Sequence, residues 1–173
     1  MIDAVADDGQ GETPLDRCCS VAASVAFAAH SLGQGVRLVS SVEGRSTSLT
    51  RAEPQALLRW LAELRPGGGL PLAGLLGELG PEVLGAETVL LALPTWRSNA
   101  SQALVDAVAD LAWRAPRVVA VLVEAHTFGG RAPRLEPDEV DGLADAFAAA
   151  GALVFRLAEG SDLSILSRAK VTA

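Results

Sequence analysis

The hydrophobic pattern of the chain predicts several strands that are covered on both faces. Residues 87–93 read Glu-Thr-Val-Leu-Leu-Ala-Leu, a run too short for a helix and without polar alternation. Such runs are typical of buried strands in a parallel sheet. Residues 118–124 and 153–157 predict two more strands of this kind. Residues 36–42 predict another, and 45–50 alternate well enough to return beside it as an antiparallel edge strand.

Apolar side chains at three- and four-residue spacing predict helices between these strands. The clearest begins with Thr13 as N-cap and Pro14 at the first helical position, and it runs to about Leu32. Further helices are predicted over 54–64, 70–79, 101–113, 138–150 and 161–168. This order predicts an α/β fold with a mostly parallel sheet of about six strands and helices on both faces. No long linker divides residues 1–173, so we expect a single domain.

Composition narrows the classes of partner. The formal net charge is −7 and the pI is near 4.8, which argues against nucleic acid and against an anionic membrane surface. No apolar stretch reaches the about 20 residues that a bilayer span needs, so we expect this segment not to cross a membrane. The adjacent Cys18 and Cys19 are typical of reduced thiols in a reducing compartment, which predicts a cytoplasmic location.

Several motifs together resemble one bacterial family. They begin with Leu-Asp-Arg at 15–17 and Ala-Ala-Ser-Val-Ala at 22–26, followed by Gly-Val-Arg-Leu-Val at 35–39. Further matches lie at 57–64, 68–72, 118–123, 151–156 and 160–163. In order and spacing, over nearly the whole chain, they resemble the carboxy-terminal portion of domain-of-unknown-function family 58, which is von Willebrand factor A-like.

The resemblance implies a von Willebrand A-like, Rossmann-like three-layer sandwich with strand order 3-2-1-4-5-6. It implies a truncated first strand ending near Asp3, and therefore a fragment of a longer chain. Full-length members usually carry two membrane helices upstream, which implies the cytoplasmic face of a membrane-anchored protein. They often accompany a MoxR-type AAA+ ATPase. The implied function is a non-enzymatic protein-interaction domain that acts with such an ATPase in protein assembly or maturation.

Von Willebrand A domains often hold Mg²⁺ through the pattern Asp-x-Ser-x-Ser, a threonine and a further aspartate, because this hard cation prefers oxygen ligands. In this chain Asp3 stands for the first aspartate, but a valine and Asp7 occupy the two serine positions. Leu70 takes the place of the threonine, and a proline followed by Thr95 takes the place of the later aspartate. Only Asp3, Asp7 and Thr95 remain as ligands, so the metal-ion-dependent adhesion site is degenerate and we expect no cofactor.

Ligands of open α/β sheets bind outside the carboxyl ends of the strands. We therefore expect partner-binding residues there, namely Asp3, Asp7, Thr95, Trp96, Arg97, Ser98 and His126. Trp96 beside Arg97 fits a protein-interface hot spot. The other interpretation is a ring folded back over the sheet edge, and the sequence favours neither.

Glu124 and His126 offer an alternative function. They end a predicted strand two residues apart and therefore share a face. Such a pair can perform acid–base chemistry in the cleft of a small α/β enzyme. A loop histidine beside an exposed glutamate is the simpler interpretation, and we favour it because no third partner is visible.

Overall fold

The computed structural model describes residues 11–41, 47–50, 54–64, 71–79, 86–129, 133–164 and 166. Five helices and five strands have bounds within these ranges. In chain order they are α1 (Pro14–Ser31), β1 (Arg37–Ser40), β2 (Thr47–Thr50), α2 (Pro54–Glu63), α3 (Leu72–Glu78), β3 (Val89–Pro94), α4 (Gln102–Arg114), β4 (Val118–Val123), α5 (Pro137–Ala149) and β5 (Leu153–Leu157). Short 3-10 turns cover Arg97–Asn99 and Ala125–Thr127. Of the predicted helix over 161–168, the structure describes 161–164 and 166, and it assigns 164 and 166 as helical.

The parallel sheet consists of β3, β4 and β5 in that order. Val89 lies beside Val118 at one end of the first ladder, and Pro94 lies beside Val123 at the other. The second ladder runs from the Val119–Leu153 pair onward. A helix separates each strand from the next, so all three strands end at the same edge. The predicted α/β class and parallel strands are confirmed.

Within the described residues, β1 and β2 form an antiparallel pair of their own, with Arg37 opposite Thr50 and Ser40 opposite Thr47. The predicted antiparallel return is therefore confirmed. The expected single sheet of about six strands is not what the described residues form: they hold three parallel strands and this two-stranded ladder. A strand joins a sheet only through backbone hydrogen bonds to a neighbour, and no described strand bridges β1 and β3. The expected first strand near Asp3, and Asp7 behind it, lie outside the described residues.

Alternate side chains of the parallel strands enter two different cores. Leu91 and Leu93 of β3, with Ala120 and Leu122 of β4, pack with α3, α4 and α5 on one face. Ala92, Val121 and Val123 pack with α1 and α2 on the other face. Every residue of β4 is buried. This double burial explains why β4 carries no polar side chain, and it gives the three-layer arrangement of a Rossmann-like fold.

Local capping fixes where the helices begin. Thr13 and Asp16 form a capping box at α1, in which Thr13 Oγ1 accepts from Asp16 N at 3.2 Å and Asp16 Oδ2 accepts from Thr13 N at 2.9 Å. The predicted start of this helix is confirmed. Ser101 caps α4 by accepting from Leu104 N at 3.3 Å. Because only the short loop 95–101 separates α4 from β3, this cap holds the first turn of α4 beside the carboxyl end of the sheet.

Candidate functional site

The loops that leave the three parallel strands together form what we call the carboxyl edge, residues 95–101, 124–129, 133–136 and 158–162. Thr95 is fully buried at its centre. Its Oγ1 accepts a hydrogen bond from Ala125 N at 2.9 Å. Its backbone N donates to Val123 O at 2.9 Å, and its carbonyl oxygen accepts from Leu135 N at 3.0 Å. Thr95 thus fastens the loop after β3 to both ends of the loop after β4.

Trp96 is also buried, with only 2% of its surface exposed. Its backbone forms an isolated antiparallel bridge with Arg134. The neighbouring Arg97 N donates to Pro133 O at 3.2 Å. Of the two interpretations of Trp96, the ring folded back over the sheet edge is the one that the structure shows. The indole Nε1 is buried and has no hydrogen-bond acceptor.

Among the expected site residues that the structure describes, Arg97 and Ser98 face solvent. The Arg97 guanidinium donates to both carboxylate oxygens of Glu139, at 3.1 and 3.2 Å. This bidentate pair joins the loop after β3 to the first turn of α5, where an acidic side chain also suits the helix dipole. Asn99 ends the same 3-10 turn in a buried position, and its Nδ2 donates to Pro94 O at 2.9 Å.

The structure brings Glu124 and His126 together, with 3.9 Å between Glu124 Oε2 and His126 Nε2. The Glu124 side chain is only 13% exposed, so the simpler interpretation was wrong in treating it as an exposed glutamate. Arg156 Nε contacts Glu124 Oε1 at 2.5 Å, and another Arg156 nitrogen pairs with Asp141. Glu124 is therefore already neutralised by a cation from β5.

Arg156 was not among the predicted site residues, because one arginine in an apolar strand gives no signal of its partner. Burial lowers the pKa of its guanidinium, but hydrogen bonds and charge attraction to Glu124 and Asp141 outweigh this and raise the pKa above its ordinary value. Arg156 therefore stays charged and holds the end of β5 to the end of β4 and to α5.

Two further contacts complete the carboxyl edge. Thr127 Oγ1 donates to Glu124 O at 2.7 Å and accepts from Glu159 N at 2.8 Å, which ties the loop after β4 to the loop after β5. Arg134 Nη1 donates to Phe128 O, which holds the two described ends of the 124–136 connection together. Sequence reasoning missed Arg134 because that connection carries no periodic pattern.

Metal and thiol chemistry gain no support from the described part of the chain. No group of three or more His, Cys, Asp or Glu side chains within it is arranged to hold a metal ion. Asp3 and Asp7 lie outside the described residues, so the expectation of a degenerate adhesion site stays a prediction. Burial, and to a lesser extent the charge of Asp16, raises the pKa of the Cys19 thiol to about 11. Cys19 is therefore a protonated thiol at neutral pH and a poor nucleophile.

Comparison with protein-family models, with curated proteins and with solved structures gave no match to this chain. Within the described ranges, every helix is too short or too polar to cross a bilayer. The geometry of the carboxyl edge is therefore the basis on which a function is proposed.

Proposed function

We propose that this chain is a non-enzymatic protein-interaction domain of the von Willebrand A type. As a relative of family 58 proteins, it acts with a MoxR-type AAA+ ATPase in protein assembly or maturation. The partner binds at the carboxyl edge, where Arg97 and Ser98 are exposed and His126 is partly exposed. Asp3 and Asp7 belong to the same proposed surface.

The observed strand neighbours support the proposed strand order 3-2-1-4-5-6. In that order, the second and third strands pair with each other, as β1 and β2 do. The last three strands also pair in sequence, as β3, β4 and β5 do. The first strand would lie between the two groups, at a position outside the described residues. Each described pairing is one that this order requires.

The observation that carries the proposal is the fastening of the carboxyl-edge loops to one another. Thr95 links to Ala125, and the Arg97–Glu139 pair joins the first loop to α5. A surface whose loops are already ordered loses little conformational entropy when a partner binds. Arg97 and Ser98 stand on this ordered base with their side chains open to solvent, as a protein-binding surface requires.

A capture experiment tests the proposal. The purified chain is immobilised and incubated with the cognate MoxR-type ATPase, and the bound ATPase is quantified. The double variant Arg97→Ala, Ser98→Arg removes one exposed contact and places bulk on the other, so we expect at least tenfold weaker capture. Trp96 is left intact because it is buried, and its truncation would disturb the fold.

The matched control is Arg114→Ala. Arg114 is also an exposed arginine paired with a carboxylate, that of Asp110, but it lies at the far end of α4. The control should capture the ATPase as the unmodified chain does. Unchanged capture by the double variant, or an equal loss in the control, would contradict the proposed surface.

The proximity of Glu124 and His126 favours a second candidate, a small α/β enzyme with an acid–base pair in this cleft. Against it, the 3.9 Å separation exceeds the hydrogen-bond reach of a working pair, and Arg156 occupies one oxygen of Glu124. Nitrogen NMR of the His126 ring distinguishes the cases. If the groups act as a pair, Glu124→Gln changes the tautomer and ring nitrogen shifts of His126. Unchanged shifts remove this candidate.

A further inference from the structure

Within the described residues, the carboxyl edge holds three buried side-chain nitrogens without a hydrogen-bond partner, Trp96 Nε1, His126 Nδ1 and Arg134 Nη2. Two of them, Trp96 Nε1 and Arg134 Nη2, are donors that belong to residues paired through their backbones. Buried polar atoms in folded proteins are almost always paired, and a donor left without an acceptor is costly. A neighbouring pair of such donors is therefore a feature that calls for an acceptor from outside the chain.

Backbone pairing places the two side chains on the same side of the loop ladder. The hydrogen bonds Leu135 N to Thr95 O and Arg97 N to Pro133 O flank the bridge between Trp96 and Arg134. Residues flanked in this way form a non-hydrogen-bonded pair, whose side chains are the closer of the two kinds of antiparallel neighbour. Trp96 and Arg134 are therefore direct cross-strand neighbours.

Only one of the two terminal nitrogens of the Arg134 guanidinium is hydrogen-bonded. Nη1 donates to the carbonyl oxygen of Phe128, the residue that follows the 3-10 turn Ala125–Thr127. Nη2 has no acceptor. The guanidinium of this cross-strand neighbour of Trp96 thus has one terminal nitrogen that is hydrogen-bonded and one that is not.

Arg134 differs from the other arginines of this edge in how its charge is compensated. Arg97 is neutralised by Glu139, and Arg156 by Glu124 and Asp141. No carboxylate in the described ranges pairs with Arg134, whose Nη1 bonds only to a neutral carbonyl. The site therefore combines two donors with one positive charge that no carboxylate of the described ranges compensates.

We propose that Trp96 and Arg134 form a carboxylate-binding site. One carboxylate oxygen accepts from the Trp96 indole and the other from the free amino group of Arg134. The inference rests on the proposed function, because it states that the partner inserts an aspartate or glutamate side chain at this edge. Both nitrogens are shielded in this structure. Arg134 is only half-buried, so the carboxylate approaches the pair from the side of Arg134.

Indole NMR tests the site directly. The chain has three tryptophans, hence three indole N–H signals, and Trp96→Phe assigns the relevant one. The protein is titrated with the capped peptide acetyl-Gly-Glu-Gly-amide and, in parallel, with the glutamine analogue. We expect a saturable shift of the Trp96 signal with the glutamate peptide, and little change at Trp60 or Trp113. No saturable shift, or an equal shift with the glutamine peptide, overturns the proposal, as does contact of the indole proton with a buried water only.

Arginine variants sharpen the test. Arg134→Gln and Arg134→Lys should each weaken peptide binding at least tenfold, because neither reproduces the planar fork of the guanidinium. Arg114→Gln removes the same charge at a distant exposed position and should bind as the unmodified chain does. Thermal melts verify that each variant is folded. Equal weakening in Arg114→Gln would reduce the effect to net charge and overturn the site.

Two further measurements distinguish a failure of the carboxylate site from a failure of the proposed function, and they identify the source of the carboxylate. If Arg134→Gln captures the ATPase at full strength, the carboxylate site fails while the proposed function stands. If the peptide binds but the unmodified chain captures no ATPase, the site stands and the proposed function fails. If acetate saturates the Trp96 shift as readily as the peptide, a free small carboxylate is the ligand, and insertion of a partner side chain is overturned.

Discussion

The two edges of the parallel sheet are built differently. At the carboxyl edge, side chains join segments that are distant in sequence: Thr95 bonds Ala125, and Arg97 pairs with Glu139. At the opposite edge, which we call the amino edge (residues 86–88, 115–117 and 150–152), no side-chain hydrogen bond or ion pair of the described residues joins distant segments, and Val89 N donates to the backbone oxygen of Arg117 at 2.9 Å. Arg114, which precedes this edge, pairs with Asp110 one helical turn away.

The two edges also differ in the exposure of their tryptophan side chains. Trp96 at the carboxyl edge is 2% exposed, whereas Trp113, at the end of α4, is 90% exposed. The amino edge is held by close backbone approach instead. A side chain at Gly151, whose φ is +94°, would come within 3.3 Å of Ala112 Cβ. Polar side-chain cross-links thus concentrate at the edge whose loops must be ordered, whereas tight turns suffice at the amino edge.

The largest expected effect comes from truncating the two tryptophans. Trp96→Ala empties a buried site and should lower the free energy of unfolding by about 3–5 kcal/mol. Trp113→Ala removes a solvent-exposed ring and should change it by less than about 0.5 kcal/mol. Urea denaturation of both variants measures the difference. Similar losses would mean that the two edges contribute alike, and the comparison would fail.

A smaller effect is expected from the buried hydroxyl of Thr95. Thr95→Val keeps the shape but leaves the buried Ala125 N–H without its acceptor, which should cost about 1–3 kcal/mol of unfolding free energy. The control is Thr88→Val at the amino edge, where the threonine is exposed, and we expect a change within about 0.5 kcal/mol. Faster amide exchange at Ala125 in the Thr95 variant would locate the damage. A neutral Thr95→Val would show that the hydroxyl does not order the loops.

The fold was predictable where its signals are local in sequence. Apolar runs predicted β3, β4 and β5, and Thr13 as N-cap with Pro14 at the first helical position predicted the start of α1. Helix caps and strand burial depend on neighbours within a few residues, so one sequence suffices to find them. The number of strands in one sheet was harder to predict, because a strand belongs to a sheet only through pairing with segments that are distant in the sequence.

The candidate site was predictable in place but not in detail. The carboxyl ends of the strands were the expected location, and Arg97 and Ser98 are exposed there. The burial of Trp96 follows from its bridge to Arg134, 38 positions along the chain by their residue numbers, 134 − 96. The pairing of Glu124 with Arg156 likewise joins two strand ends. No periodicity or composition signals such contacts, so only the folded arrangement reveals them.

The smallest expected effect concerns the exposed ion pairs of the two regions. Arg97–Glu139 is bidentate and joins distant segments, whereas Arg114–Asp110 lies within one helix. Both are well exposed, so solvent screening keeps their coupling energies low, at about 0.2–1 kcal/mol for the first and about 0.3–0.5 kcal/mol for the second.

Double-mutant cycles with glutamine at each position measure these couplings, and the same cycles in high salt measure their screening. Glutamine at 139 keeps an acceptor for the Glu136 N–H, which Glu139 Oε2 accepts at 2.8 Å, so the cap of α5 is preserved. We expect the Arg97–Glu139 coupling to be the larger, because two parallel hydrogen bonds fix its geometry. A coupling energy for Arg97–Glu139 that does not exceed the coupling energy of Arg114–Asp110 would contradict this expectation. The loops of the carboxyl edge would then be ordered by the buried contacts of Thr95 and Trp96 and not by this exposed ion pair.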